Sequence, residues 1–306
     1  MNHIPVKPNK KPLYQATFTL LFALSFFRCF SQISPEQEIK QYASNINGNV
    51  GVHAILLETG ETISYQADQQ FPMQSVYKFP IAMAVLHQID QGKLSLNQVI
   101  SVSPSDYIPE QGYSLIRERF PKGVELTIRE LLEYTIRSDG SASDVLLKTI
   151  GGAKVADQYV SSLGIADEAM AIALPEMIQV ANDTIQYQNY ATPQAMTKLL
   201  NVFYTDNALS AESQDLLFQM MIDSRTGLGR IKGLLPKGTM VAHKTGTSAT
   251  YNGLTRATND AGIIVLPNGN HLAITVFVSD SYASDKDRDQ VIANIAKAVF
   301  DYWADE

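Results

Sequence analysis

The sequence predicts an α+β protein in which one β-sheet is built from both ends of the chain. Strand-like apolar runs occur at residues 50–65 and again from residue 241 onward. The stretch between them carries its apolar residues mainly at helical spacing. No internal repeat and no low-complexity linker separates these parts. We therefore expect two lobes, and the cleft between them is a usual place for a binding site.

Residues 1–31 differ in composition from the rest of the chain. A basic segment at residues 7–11 precedes a mostly apolar run at residues 13–27, and Cys29-Phe30-Ser31 offers small residues at the two positions that a signal peptidase reads. This pattern predicts a secretory signal peptide and a periplasmic or secreted protein. A transmembrane anchor is the alternative, disfavoured because the run is short for a membrane span. A lipid-modified Cys29 is a third interpretation, but Arg28 fits that signal poorly.

The charge and the cysteine content limit which partners and which metal sites the protein can have. The chain has 24 basic and 31 acidic residues, and four basic residues but no acidic residue lie in the leader. The remaining 20 basic and 31 acidic residues give a formal net charge of −11, which argues against nucleic acid or an anionic membrane as partner. The single cysteine leaves with the leader, so we expect no disulfide and no cysteine metal site. The histidines show no metal-binding spacing, and no metal or cofactor is expected.

The first predicted elements are a helix and a hairpin. Ser34-Pro35-Glu36-Gln37 is typical of a helix start, because Ser34 suits the N-cap and Gln37 completes a capping box. Two strands at residues 50–57 and 62–65 follow, joined by a short turn. A helix that contains Ser75 comes next and ends at the glycine of position 92.

The later elements are predicted from caps, apolar stripes and turn residues. Helices are expected at residues 126–137 with Thr127 as N-cap, from Ser143-Asp144 to 150, and at 193–203, 210–222 and 285–303. Strands at 260–266 and 271–278 flank Pro267-Asn268-Gly269-Asn270, a strong hairpin signal. Residues 166–189 show no clear period. We expect a sheet domain at residues 32–72 and 222–306 and a helical domain at residues 73–221.

Ser75 and Lys78 form a Ser-x-x-Lys pair on the helix after the first hairpin. Residues three apart lie on one helix face, so the lysine amine can take the proton that makes a serine hydroxyl a poor nucleophile. Desolvation of that lysine would lower its pKa and favour this role. Pro80 places Ser75 near a helix N-terminus, where backbone N–H groups favour a developing anion. Taken alone, such a pair is also consistent with a solvated helix face.

Two further short motifs follow Ser75 and Lys78 in the chain. Ser138-Asp139-Gly140 comes directly after a predicted helix, and Lys244-Thr245-Gly246-Thr247 lies in the first strand of the C-terminal run. Ser-x-x-Lys, Ser-Asp-Asn and Lys-Thr-Gly together form a pattern of class A β-lactamases and penicillin-binding proteins. Their order and their positions at structural breaks make the combination far more specific than each motif alone.

With these motifs the sequence resembles a class A serine β-lactamase, in the extended subgroup of the PER, VEB and CfxA types. The resemblance covers nearly all of residues 33–306. Four segments support the subgroup: Arg225-Thr226-Gly227, residues 230–236, Ala257-Thr258-Asn259-Asp260 and Gln186-Tyr187-Gln188-Asn189. The resemblance implies a β-lactamase/transpeptidase-like fold, with a three-layer α/β/α domain, an inserted all-α domain and the site between them. It implies a monomer that acts on a small β-lactam molecule.

The resemblance also implies the catalytic roles. Ser75 would attack the lactam carbonyl and become acylated, with its own backbone N–H and that of Thr247 holding the oxyanion. Lys78 would keep the hydroxyl ionisable. Ser138 would pass a proton to the leaving nitrogen, held by Lys244. The implied substrate-binding residues are Tyr113, Gly140, Arg230, Thr245, Gly246, Thr247 and Ser248.

Glu176 matches the family's loop glutamate, which activates the water for deacylation. It lies 68 residues before Lys244, as the family's spacing requires. Glu168 is a poorer candidate by that spacing. Without the other motifs, Glu176 would be interpreted as a solvated loop acid.

The sequence departs from the family at two positions. Gly140 stands where the family usually has an Asn that reaches the substrate and Lys78, and glycine also permits a positive φ. Val180 stands where Asn or His usually helps to hold the catalytic water. Loss of one hydrogen bond to that water costs on the order of 1–3 kcal/mol, so we expect a slow or narrow-spectrum enzyme.

Two other functions remain open from the residues. A penicillin-binding peptidase or β-lactam sensor shares the first three motifs, and the loop carrying Glu176 distinguishes the hydrolase from it. A non-enzymatic module on the same scaffold is disfavoured because Ser75, Lys78, Ser138 and Lys244 are all intact. Several other residues are expected to have structural roles: His243 packed in its strand, Asp139 as a cap or brace, Tyr187 and Tyr190 in packing, and Trp303 in the core.

Overall fold

The computed structural model describes Met1 and residues 34–181, 183–206 and 208–304. The described residues from Ser34 onward group into one compact unit. The predicted signal peptide, with Cys29, lies outside the described residues. Within the described part of the chain, no helix is both long and apolar enough to cross a membrane.

The main sheet combines strands from both ends of the chain. Its path runs β2 (Thr62–Tyr65), β1 (Asn49–Leu56), β11 (His271–Ser281), β10 (Leu254–Val265) and β8 (Val241–Thr247), and β9 (Thr250–Tyr251) pairs with β10. All neighbours are antiparallel, and β1 runs beside β11 from the pair Asn49–Ser279 to the pair Leu56–Leu272. The predicted α+β class, with one sheet assembled from both termini, is confirmed.

Two small sheets lie outside this main sheet. One joins β3 (Phe71–Pro72), β7 (Tyr190–Ala191) and β6 (Met170–Ala171), and the other pairs β4 (Val99–Val102) with β5 (Val124–Thr127). Neither was predicted, because the strands of the first have only two residues and those of the second are not joined by a hairpin turn. The first of these sheets ties the segment before Ser75 and the segment before Glu176 to the same strand, β7.

Helices occupy most of the chain between β3 and β8. The helices are α1 (Pro35–Ser44), α2 (Lys78–Asp90), α3 (Leu115–Arg119), α4 (Ile128–Ile136), α5 (Gly140–Ile150), α6 (Ala153–Ser162), α7 (Glu176–Ala181), α8 (Pro193–Thr205), α9 (Ala211–Ile222) and α10 (Asp285–Ala304). The capping boxes predicted at Ser34 with Gln37 and found at Thr127 with Glu130 both form. Helix propensity and caps therefore agree with the fold at these starts.

The main sheet buries both of its faces. Alternating residues of β11 divide between two apolar cores, with Ile274, Val276 and Val278 in one and Ala273 and Phe277 in the other. Helices α1 and α10, including the fully buried Trp303, cover the first face, and α8 packs on the second. This gives the three layers, and the second core continues without a break into the helices around α2.

Two local predictions are wrong. Helix α5 begins at Gly140 rather than at Ser143, because the Asp139 side chain accepts a hydrogen bond from Ala142 N at 2.8 Å and acts as the N-cap. Residues 166–189 are not irregular throughout, since they contain β6 and α7. The proposed division into a sheet domain and a helical domain stays a prediction.

Candidate active site

Ser75 lies in a short 3₁₀ turn, Gln74–Tyr77, that leads directly into α2. Pro80 falls in the first turn of α2, where its missing N–H costs no helical hydrogen bond. Gln74 has a positive φ of 47°, which turns the chain sharply just before the serine. Asn259 of β10 donates to Pro72 O at 2.8 Å and Met73 O at 3.2 Å, which fixes this segment to the sheet.

Strand β8 passes close to the backbone of Ser75 because residue 246 is glycine. A Cβ at Gly246 would lie 2.4 Å from Met73 O and 3.1 Å from Ser75 N. Only a glycine permits this approach of a strand to the start of the turn. The position of Gly246 thus brings the Lys244–Thr247 motif beside the serine.

Lys78 connects Ser75 with Glu176. Its Nζ donates to Ser75 Oγ at 2.9 Å and to Glu176 Oε2 at 2.7 Å, and its side chain is fully buried. Tyr77 donates its hydroxyl to the same carboxylate oxygen at 3.0 Å. A nucleophile, an amine and a carboxylate are therefore joined in one hydrogen-bonded chain, as proton transfer between them requires.

Glu176 is the first residue of α7 and is 8% exposed. Its backbone N–H donates to Asp144 Oδ1 at 2.7 Å, and Met177 N donates to Asp144 Oδ2 at 2.8 Å. Asp144 therefore acts as the N-terminal acceptor for α7, although it belongs to α5. Burial raises the pKa of Asp144 to about 7, while the two backbone donors lower it.

The importance of Asp144 was missed in the sequence. It lies four residues after Gly140, so both face the same side of α5, toward Glu176. That spacing is a signal that was available, but it indicates a role only once the position of Glu176 is known. Sequence spacing cannot place α7 against α5, because the two are far apart in the chain.

Ser138 and Lys244 form a second serine–lysine pair across the cleft. Lys244 Nζ donates to Ser138 Oγ at 2.6 Å and to Thr245 O at 2.8 Å. Ser138 has a φ of 73°, a left-handed backbone that is rare for a serine and is found at functional sites. Burial, with the charge of Lys78 as second cause, lowers the pKa of Lys244 well below its usual value. A proton on Lys244 is thus more easily released than on a solvated lysine.

Arg230 lines the cavity and contacts β8 and β10. Its guanidinium donates to Thr247 Oγ1 at 2.7 Å, to Gly246 O at 3.1 Å and to Asn259 O at 2.9 Å, and Asp289 holds Nε at 2.7 Å. The arginine is 7% exposed. It brings positive charge to the Thr247 side of the cleft without projecting into solvent.

A cavity of about 580 Å³ lies beside these groups, and the buried Lys78 and Lys244, with Gly140 and Gly246, are not part of its lining. Its lining includes the proposed catalytic residues Ser75, Ser138 and Glu176, and the proposed binding residues Tyr113, Arg230, Thr245, Thr247 and Ser248. Tyr113 is half exposed at the rim, while Thr245 is buried and bonded to Thr226 at 2.7 Å between hydroxyl oxygens. Ser248 accepts from Ala257 N at 2.9 Å, which keeps its side chain at the wall of the cavity. The volume suits a small molecule.

Both departures from the family pattern lie close to the proposed catalytic groups. Val180 lines the cavity one helical turn after Glu176. Gly140 lies against Glu176, but it does not have a positive φ, so the idea that its glycine serves backbone conformation is wrong. The glycine at position 140 matters because it leaves space beside Glu176.

The remaining singled-out residues have structural surroundings. His243 is fully buried and its Nδ1 lies 2.9 Å from Asp260 Oδ1, while Asp139 braces Ser114 and Ile116 as well as capping α5. Glu168 is exposed, away from the cavity lining. Tyr187 does more than pack, because its hydroxyl bonds to Asp280. In the part of the chain that the structure describes, no group of acidic, histidine and cysteine side chains has the arrangement of a metal site.

The fold and the two serine–lysine pairs are those of the active-serine proteins that include class A β-lactamases and penicillin-binding proteins. The model of the β-lactamase enzyme family matches residues 34–303. The chain belongs to this family, as a class A serine β-lactamase of the extended subgroup that includes the VEB and PER types.

Two curated relatives from Pseudomonas aeruginosa illustrate the similarity. β-Lactamase VEB-1 is 42% identical over 260 residues, which are 84% of this chain and 86% of the relative. Extended-spectrum β-lactamase PER-1 is 36% identical over 295 residues, 95% of each chain. These relatives support the recognition of the subgroup made from the motifs.

Solved structures show the same fold. A β-lactamase from Chitinophaga pinensis DSM 2588 has a TM-score of 0.85 at 43% identity, covering 88% of this chain and 98% of that one. The TLA-1 extended-spectrum β-lactamase has a TM-score of 0.85 at 39% identity over the same shares. The β-lactamase-like fold expected from the sequence is therefore confirmed.

Proposed function

We propose that this β-lactamase opens its substrates through an acyl-enzyme on Ser75. The observation that carries the proposal is the chain from Ser75 Oγ through Lys78 Nζ to Glu176 Oε2, with distances of 2.9 Å and 2.7 Å. Transfer of the hydroxyl proton to the Lys78 amine makes the oxygen nucleophilic as it attacks the lactam carbonyl, and Glu176 acts in the later hydrolysis of the ester. The backbone N–H groups of Ser75 and Thr247 stabilise the oxyanion.

Ser138 protonates the leaving nitrogen as the ring opens. The proton of its hydroxyl moves to the nitrogen, and Lys244, 2.6 Å away, replaces it. Thr245, Thr247 and Ser248 bind the carboxylate of the substrate, and the charges of Lys244 and Arg230 add to this attraction. Tyr113 provides an apolar contact at the rim, and Gly246 lets β8 approach the backbone of Ser75 closely.

Glu176 completes the cycle by activating a water that attacks the ester. It is the carboxylate beside Ser75 in the cavity, and Asp144 and Lys78 hold it at both ends. Val180 offers this water no hydrogen bond, so we propose that deacylation limits turnover and that the enzyme is slow or narrow in spectrum. A cephalosporin turnover rate in the usual range of enzymes, about 10 s⁻¹ or faster, would contradict this part of the proposal.

The test follows a chromogenic cephalosporin by absorbance and the intact protein by mass over the same interval. The wild type is expected to turn over many times and to carry an adduct only while substrate remains, because deacylation is the proposed slow step. Glu176→Gln is expected to consume about one equivalent and keep an adduct, which peptide mapping places on Ser75. Ser75→Ala is expected to show neither. A lasting adduct on the wild type would instead favour the behaviour of a penicillin-binding peptidase or sensor.

We further propose export to the periplasm or the medium, after removal of residues 1–31, as a monomer. The composition of the leader supports the export and the −11 charge of the remainder is compatible with a soluble exported enzyme. N-terminal sequencing of protein recovered from the periplasm, together with light scattering, tests both points. A retained leader or a stable dimer would contradict them.

A further inference from the structure

Gly140 has no room for any side chain. A Cβ at this position would lie 2.4 Å from Ile108 Cδ1 and 2.7 Å from Glu176 Cγ, distances that real Cβ atoms do not show. Because Gly140 does not have a left-handed backbone, alanine would be tolerated by its φ angle. The requirement for glycine is therefore steric, and it involves the proposed base.

Ile108 forms one side of this tight space with the end of its side chain. Its Cδ1 also lies 2.5 Å from where a Cβ at Gly112 would be, so the side chain is wedged between two glycines and is 1% exposed. Ile108 N donates to Ser141 Oγ at 3.0 Å, and Arg117 donates to Ile108 O at 2.8 Å. The backbone of this loop is thus fixed to α5 and α3.

Glu176 forms the other side of the space beside Gly140, and hydrogen bonds hold both its carboxylate and its backbone. Its carboxylate accepts from Lys78 and Tyr77, and its backbone N–H is held by Asp144. Any shift of Cγ away from Gly140 carries the carboxylate with it, since only one bond separates them. The hydrogen bond to Lys78 at 2.7 Å would then lengthen or break.

We infer that Gly140 and Ile108 are positioning residues for Glu176: the bare Cα of Gly140 leaves the space that the glutamate needs, and Ile108 closes that space from the other side. The inference rests on the proposed role of Glu176 in deacylation. The inference also gives a steric reason for the glycine at position 140, where the family usually has Asn. The glycine is not simply a missing Asn, because an Asn there would occupy the volume of Ile108 Cδ1 and Glu176 Cγ.

The first test is Gly140→Ala, with Gly140→Asn beside it. Both are expected to keep the rate of adduct formation on Ser75 within about threefold, since Ser75 and Lys78 are not displaced, and to slow deacylation by roughly a hundredfold, because a shift of about 1 Å in a catalytic group has that effect. Turnover number and KM should fall together as the acyl-enzyme accumulates. Restoring the family's Asn should therefore lower activity rather than raise it.

A second variant distinguishes crowding at Glu176 from general damage to α5. In Ile108→Val/Gly140→Ala, the valine lacks the Cδ1 atom that lies nearest to the new Cβ. Deacylation is expected to recover at least about fivefold relative to Gly140→Ala, a coupling that independent sites would not show. The matched control is Gly229→Ala, whose Cβ would have nothing nearer than Asp289 Oδ2 at 3.6 Å, and it should behave as wild type.

Every outcome of these measurements either supports or overturns the inference. Wild-type deacylation in Gly140→Ala, equal loss of acylation and deacylation, or no recovery in the double variant would overturn the inference. Glu176→Gln, measured in parallel, separates this from failure of the proposed function. If that variant does not accumulate an adduct, the role of Glu176 is wrong. If it does and Gly140→Ala turns over normally, only the positioning role is wrong.

Discussion

Val180 is the residue whose side chain most directly limits the proposed deacylation. It lies one turn after Glu176 on α7 and lines the cavity, yet it offers no donor or acceptor. Val180→Asn, of similar size, is expected to speed deacylation by about tenfold, the equivalent of one hydrogen bond to the water. Single-turnover mass kinetics measures this, with Val180→Ala as a control that adds no polar group. An unchanged rate in Val180→Asn would show that another group already holds the water.

Asp144 gives the molecule a pH-dependent stability. Burial raises its pKa to about 7, well above the usual aspartate value of 3.8, so the folded protein keeps a proton that the unfolded chain loses. The contribution of Asp144 to the free energy of unfolding is therefore full below about pH 4 and decreases as the pH rises to about 7, by a few kcal/mol at most. Asp144→Asn removes this titration.

Urea unfolding of the wild type and Asp144→Asn at several pH values measures that contribution. The difference in free energy of unfolding, wild type minus variant, is expected to decrease between about pH 4 and about pH 7 and to change little above that. Parallel curves would mean that Asp144 is ionised in the folded protein throughout. At this residue scale, the two serines, the two lysines and Glu176 were readable from motifs, but Asp144 and Ile108 were not, because their roles depend on packing between distant segments.

At the scale of elements, the segment that follows α7 is attached to the main sheet by Arg256. Arg256 Nε lies 2.6 Å from Asp183 Oδ2, its Nη1 lies 3.4 Å from the hydroxyl oxygen of Tyr187, and its guanidinium lies 5.8 Å from the ring centroid of that tyrosine. Tyr187 in turn bonds to Asp280 of β11. Gln74, next to Ser75, bonds to Gln186 of the same segment. The segment is thus held to the sheet on one side and to the nucleophile's turn on the other.

Arg256→Ala is expected to loosen this segment and lower the turnover number by about tenfold, because Glu176 begins the element that leads into it. Hydrogen exchange of residues 176–189 should increase in the variant. Lys148→Ala removes the ion pair with Asp106, whose lysine is 77% exposed, and is the matched control expected to change neither quantity. Unchanged exchange in Arg256→Ala would show that hydrogen bonds such as Asn189 Nδ2 to Leu174 O hold the loop unaided.

At the scale of the whole molecule, the first strand of the sheet depends on a close approach to two other segments. A Cβ at Gly51 would lie 2.4 Å from Phe71 Cε2 and 2.8 Å from Pro193 Cγ. Gly51→Ala is therefore expected to destabilise the fold by about 1–3 kcal/mol through overpacking, without changing the turnover number of the folded enzyme. Urea unfolding at constant m-value measures this, and wild-type stability would show that β1 and β3 can move apart freely.

The sequence by itself determined the class of fold, most helix starts, the hairpins and the residues of the three motifs. These depend on local patterns: apolar periodicity, capping boxes, turn residues and short spacings along one element. It did not determine the start of α5, the two small sheets or the reason for a glycine at position 140. Those were decided by the tertiary structure. Asp139 caps α5 only in the extended backbone that it adopts in the fold, and Ile108, Gly140 and Glu176 meet only when three segments distant in the chain pack together.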